Sequence, residues 1–172
     1  SLMRNAGGTF DVAWLDGRNY NQPAPNTFLH GDDLYAQKLG SATGAAQWTA
    51  NGAPVDTAAG GLDDLRMDTD GAGGALLAYT DFTFGDGDED ISLARINGTG
   101  TRLFKVTVNT VTGTSRERNS VLAHDGESGA LVAWEDNRNA GSDPDAYGGR
   151  RGPTGSVFNR SLVVTLPNLA DT

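Results

Sequence analysis

The stretch GALVAWEDNRN, from Gly129 to Asn139, has two cousins in a chain of 172 residues. GTFDVAWLDGRN runs from Gly8 to Asn19, and GALLAYTDFTF from Gly74 to Phe84. Aligned on their aromatic residue, the three copies bring Trp14, Tyr79 and Trp134 together, with Asp16, Asp81 and Asp136 two positions further on. Arg18 and Arg138 follow in the first and third copies, where the second has Thr83. An internal repeat decides the architecture, so the reading of the chain starts from it.

The match extends on both sides. Upstream lie SLMRN (Ser1 to Asn5), DLRMDTD (Asp64 to Asp70) and SVLAHD (Ser120 to Asp125). Downstream lie DDLYAQKL (Asp32 to Leu39), DISLARI (Asp90 to Ile96) and DAYGGRR (Asp145 to Arg151). A glycine turn and an aromatic come next: Gly44 with Trp48, Gly100 with Phe104, Gly155 with Phe158. An extended run closes each copy. In the second copy Leu103, Lys105, Thr107 and Asn109 alternate with Phe104, Val106, Val108 and Thr110. That period of two belongs to a half-buried strand. ALVAW and ALLAY are near-continuous apolar runs, which suit strands buried on both faces. Each unit thus reads as four strands joined by turns. No window carries a sustained helical period with caps.

Four-stranded units recurring every ~40–50 residues are typical of β-propeller blades. VAWLDGRN with DDLYAQKL, and VAWEDNRN with DPDAY, resemble the repeats of bacterial secreted and cell-surface β-propellers. Those pair a Val-Ala-Trp-x-Asp-x-Arg strand and turn with an Asp-Ile-Tyr-Ala-Gln-Arg strand. SATGAAQW (Ser41 to Trp48) is a distant echo of the Asp-box of sialidase-like propellers, without its aspartate. The resemblance covers nearly the whole chain. It implies one all-β propeller-like domain over residues 1–172, with blades at about 1–60, 61–115 and 116–172. It also implies an extracellular, cell-surface or periplasmic protein. It implies little chemistry, because such repeats occur in proteins of diverse function.

Composition narrows the partners. With 13 basic and 22 acidic residues the formal charge is −9, which repels nucleic-acid backbones and anionic lipid. An acidic surface suits solubility and cations. There is no cysteine, so disulfides, thiolate metal sites and cysteine nucleophiles are absent. No apolar run approaches the ~18–20 residues of a membrane-spanning helix. A chain that begins at Ser1 without a signal-peptide pattern reads as a processed product or an excised piece.

The acidic loops between the second and third strands carry the most chemistry. In DFTFGDGDEDIS the carboxylates Asp81, Asp86, Asp88 and Asp90 form a candidate calcium site, because a hard cation takes several oxygens from a flexible, glycine-containing loop. The alternative is a solvated turn that guards a strand edge with charge. HGDD (His30 to Asp33) and DPD (Asp143 to Asp145) are its counterparts, and DTDGAGG (Asp68 to Gly74) is either a second site or a tight turn. Trp14, Tyr79 and Trp134 suit core packing between sheets, with a sugar-stacking platform as the alternative. The Asp-x-Arg pairs suit a bidentate lock of the turn onto the next unit or onto its own third strand.

Catalysis finds little support. His30 and His124 are the only histidines, and neither lies in a nucleophile motif. The sequence therefore points to a non-catalytic binding or scaffolding module. Part of a carbohydrate-active, sialidase-like enzyme and a structural subunit of an extracellular assembly are the alternatives. A protein partner or self-association is expected, since three such sheets leave an apolar face open at each end. Carbohydrate is the other candidate ligand.

Overall fold

The computed structural model describes residues 1–19, 32–57, 60–83, 88–109, 115–139, 144–157 and 162–163. Among them the chain is all-β, with one 3-10 turn at Gly17–Asn19 and no helix long and apolar enough to cross a membrane. The first sheet holds β1 (Leu2–Arg4), β2 (Phe10–Asp16), β3 (Asp33–Leu39) and β4 (Ala53–Asp56) in sequence order. The second holds β5 (Leu62–Thr69), β6 (Ala75–Asp81), β7 (Asp90–Ile96) and β8 (Arg102–Thr107). The third holds β9 (Glu117–His124), β10 (Ala130–Asp136) and β11 (Asp145–Arg151), with the two-residue β12 (Leu162–Val163) paired to Tyr147 and Gly148. All pairings are antiparallel between chain neighbours, as turn-linked strands require.

The repeat survives as register. Trp14 lies opposite Tyr35, Tyr79 opposite Ser92, and Trp134 opposite Tyr147. Asp16, Asp81 and Asp136 lie opposite Asp33, Asp90 and Asp145. Even the irregularities recur. A bulge interrupts β5 between Asp63 and Arg66, and another interrupts the pairing of β9 between Ala133 and Glu135. Within them Asp64 and Asn119 take φ of 52° and 53°. Asp and Asn enter this left-handed region more readily than other side chains, so both bulges carry a residue suited to it.

The sheets stack face to face around two apolar layers. Ala13, Leu34, Ala36 and Val55 of the first sheet meet Leu77, Tyr79, Ala94 and Ile96 of the second. On its other side the second sheet sets Leu76, Ala78, Ile91 and Leu93 against Val132 and Trp134 of the third. Every residue of β6 is buried, so ALLAY is a two-faced strand. Full burial of one Leu or Ile side chain contributes about 1.5–3 kcal/mol, which makes the middle sheet the anchor of the fold. ALVAW does not repeat this. Ala130, Val132 and Trp134 are buried, but Leu131 is 48% exposed, because no described sheet lies beyond the third. The expectation of a doubly buried β10 is corrected accordingly.

Tyr79 and Trp134 are buried at 0% and 6% exposure, whereas Trp14 is only half-buried. The difference is positional: Tyr79 and Trp134 face the preceding sheet, and no described sheet covers that side of the first. Trp48 and Phe104 have a shared role across the stack. A Cβ on Gly100 would stand 2.7 Å from the Trp48 ring, and one on Gly155 would stand 3.0 Å from the Phe104 ring. Each aromatic therefore rests on the turn glycine of the following sheet, not on that of its own unit. Phe158 lies outside the described residues.

Candidate functional site

The repeated aspartates Asp16, Asp81 and Asp136 each end the second strand of their sheet. The Asp16 carboxylate accepts the Arg18 amide at 2.9 Å and the Trp14 indole N–H at 3.0 Å, and it pairs with the Arg18 guanidinium. That guanidinium lies over the Tyr35 ring, 3.9 Å from its centroid. Asn19 closes the group by donating to Asp33 at 2.6 Å and to the Tyr35 hydroxyl at 2.9 Å. The third sheet repeats this arrangement. Asp136 accepts the Arg138 amide at 2.9 Å and Arg138 Nε at 2.7 Å, Arg138 lies 4.0 Å above Tyr147, and Asn139 donates to Asp145 and the Tyr147 hydroxyl. The Asp-x-Arg pair thus pins each turn onto its own third strand.

The charges respond as this geometry dictates. Hydrogen bonds from Arg18 hold the Asp16 carboxyl well below the usual carboxylate range. Burial works against Asp136, yet the Arg138 bonds outweigh it and keep that carboxyl low as well.

In the second sheet Thr83 and Ser92 replace the arginine and the tyrosine. Asp81 accepts the Thr83 amide at 3.0 Å and the Ser92 hydroxyl at 3.2 Å. The missing cation comes from β8: Lys105 Nζ reaches Asp81 at 3.0 Å and Asp56 of the first sheet at 2.6 Å. The Tyr79 hydroxyl donates to the same Asp56 at 2.9 Å. Nothing in the local pattern around Asp81 pointed to Lys105, because the strand that carries it is distant in sequence.

A second set of aspartates staples the first turn of each unit. Asp70 Oδ1 accepts the amides of Ala72 and Gly74 at 2.8 and 2.6 Å, while Oδ2 takes Arg95. Asp125 does the same with Glu127, Gly129 and Arg150. In the first unit Asn5 occupies this place, and Asp11 supplies the charge for Lys38 at 3.4 Å. DTDGAGG is therefore a stapled turn.

The proposed cation ligands divide. Asp81 is occupied by Lys105, Thr83 and Ser92, and Asp90 receives the Asn109 amide group. Asp86 lies outside the described residues, as do His30 and Asp143. Among the described residues no group of three or more acidic or histidine side chains is placed to hold a metal. Calcium at this loop rests on the sequence pattern, and calorimetry tests it. A loop site gives binding heat with the wild type and less with Asp88→Ala; silence in both leaves a solvated turn. His124 ends β9 with its ring against Gly71, and its ring nitrogens lie 3.3 Å and 3.1 Å from the amides of Gly126 and Ser128.

What stays open is a surface. The outer face of the third sheet forms a shallow apolar groove of about 490 Å³, lined by Val121, Ala123, Leu131, Ala133 and Gly148, with Arg150 at its edge. Val121 and Leu131 are 60% and 48% exposed. At the other end a more polar recess is lined by Trp14, Arg18, Gln37 and Asn51. Sequence reasoning anticipated open end faces but not which strands would form them.

No family model, curated protein or solved structure matches the chain.

Proposed function

We propose that the chain is a non-catalytic binding or scaffolding module built from propeller-type sheets, working at the cell surface or outside the cell. The observation that carries this reading is the apolar outer face of the third sheet. Single exposed apolar side chains are ordinary, but Val121 opposite Ala133 and Leu131 opposite Ala123 make a contiguous apolar surface suited to another protein. The disposition of charge supports it from the other side. The repeated aspartates are engaged by arginine, lysine and backbone amides, which leaves them poor general acids or bases. The export and surface location follow from the resemblance of the VAWLDGRN and DDLYAQKL repeats.

The rival is a carbohydrate-active enzyme. Incubation of the chain with a panel of aryl glycosides and sialosides, followed by release of the chromophore, separates the two. No turnover above buffer is expected. Turnover that disappears with Asp136→Asn or Glu117→Gln would replace the binding reading with catalysis.

A further inference from the structure

Among the described residues one kind of sheet-to-sheet interface is built twice, and its two halves stand exposed at opposite ends. Each sheet has a forward face of small and aliphatic residues and a rear face that carries its aromatic. In the first interface Ala13 and Ala36 press on Leu77 and Tyr79. In the second, Leu76 and Ala78 press on Val132 and Trp134. A basic residue near the end of the third strand crosses over each time. Lys38 donates to the Gly73 carbonyl, and Arg95 donates to the Pro153 carbonyl at 3.0 Å.

Among the described residues the pattern runs from the first sheet to the third. On the third sheet Leu131 and Ala133 stand where Leu76 and Ala78 stand on the second, and Arg150 stands where Arg95 stands. No described sheet covers them. On the first sheet Trp14 stands where Tyr79 and Trp134 stand, half-exposed. The turn glycine Gly44 has no atom within 4 Å of the place a Cβ would take, whereas Gly100 and Gly155 are each covered by an aromatic.

The geometry points to a second copy of this chain as the occupant: the forward face of one third sheet seats on the rear face of the other copy's first sheet. This rests on reading the chain as a binding module. One chain carries both halves, and each half has a working example inside the same molecule. The contact is heterologous, and two such contacts can close a pair into a ring of six sheets. With strands of 3, 7, 7 and 4 residues in the first sheet and 8, 7, 7 and 2 in the third, the faces offer roughly 330 and 380 Å², from ~3.3 Å per residue and ~4.8 Å between strands. Four faces meet in a closed pair, so about 1,400 Å² is covered, within the ~1,200–2,000 Å² of a stable interface.

Sedimentation velocity of the full chain at tens of micromolar tests it. The expected particle has twice the chain mass. Leu131→Lys on one face and Val12→Lys on the other each weaken the pair at least tenfold, with far-UV circular dichroism unchanged. Trp14→Glu provides a second rear-face variant if Val12→Lys alters the fold. An equimolar mixture of Leu131→Lys and Val12→Lys at higher concentration regains the paired mass through its one intact contact. A folded wild-type monomer overturns the proposal, and so does a pair indifferent to Leu131→Lys. A pair broken by Leu131→Lys but untouched by Val12→Lys overturns it too, because that pair joins third sheet to third sheet. Monomers that turn over no glycoside refute only the docking; glycoside turnover by paired chains refutes only the binding reading.

Discussion

Lys105→Met is expected to destabilise the fold by about 3–5 kcal/mol, the range for removing one partner of a buried ion pair. Lys105 serves two carboxylates at once, Asp56 and Asp81, whose side chains are 2% and 7% exposed. Asp56 belongs to the first sheet and Asp81 to the second, so the ammonium neutralises two buried charges and ties two sheets together. Burial lowers the lysine pKa, yet its bonds to the two aspartates outweigh this and hold it above its ordinary value. Asp81 is likewise kept below the usual carboxylate range against its own burial. Methionine fills the space but leaves two carboxylates facing each other across the interface. Urea unfolding at pH 7 measures the loss. Lys105→Met combined with Asp56→Asn should recover part of it, because only one buried charge then lacks a counter-ion. A single-variant loss below about 1 kcal/mol, the scale of an exposed pair, would show that the site is solvated and the lock unimportant.

Lys105 also marks the limit of what the sequence discloses. The strand order and the register of Asp16, Asp81 and Asp136 could be read from the repeat, because alternation and spacing act locally. The absence of Arg18's counterpart in the second copy was visible too. Its compensation was not, since Lys105 approaches Asp81 only after β8 has paired with β7. Asp11 is a similar case: it provides the charge that Asn5 lacks, from a different strand. The turn glycine and the aromatic after it were legible as a recurring pair, but Trp48 and Phe104 each make their contact with the next unit's glycine. ALLAY and ALVAW look alike in sequence and differ in burial, because an apolar run records only a strand's suitability for burial. Whether a sheet lies on each side depends on its position in the stack. In the acidic loop Thr83 engages Asp81 locally, as spacing along the chain allows, whereas Ser92 and Lys105 reach it from neighbouring strands.

Glu117→Gln is expected to stabilise the protein above pH 7, with the effect shrinking as pH falls and small at pH 4. Glu117 has a fully buried side chain and lies opposite Asp136 in the ladder between β9 and β10. One oxygen accepts the Ser115 hydroxyl at 2.6 Å, and the other has no donor. Burial pushes its pKa up to about 7, and the charges of Asp136 and Asp90 add to this against the Ser115 bond. Asp136 stays ionised because Arg138 holds it, so Glu117 is the member of the pair that keeps the proton. The unfolded chain releases that proton near the ordinary value of 4.5. Between the two values the folded state binds more protons than the unfolded state, so stability falls as pH rises from about 4.5 to about 7 and is flat beyond. Each tenfold difference in proton affinity is worth ~1.4 kcal/mol, which makes the full loss about 3 kcal/mol. Glutamine keeps the acceptor for Ser115, offers Asp136 an N–H donor, and carries no charge to bury. Its melting temperature at pH 8 should therefore exceed the wild type's by roughly 6–12 °C, with the gap closing towards pH 4. Lowered carboxylates such as Asp136 and Asp125 act in the opposite sense: their stability is present above about pH 4 and lost as pH falls through their folded values. The wild type is thus most stable in mildly acidic solution, and only the alkaline side of that maximum belongs to Glu117. Melting curves for the two proteins that run parallel from pH 5 to 8 would show that Glu117 is ionised in the folded state and that its buried oxygen is reached by water.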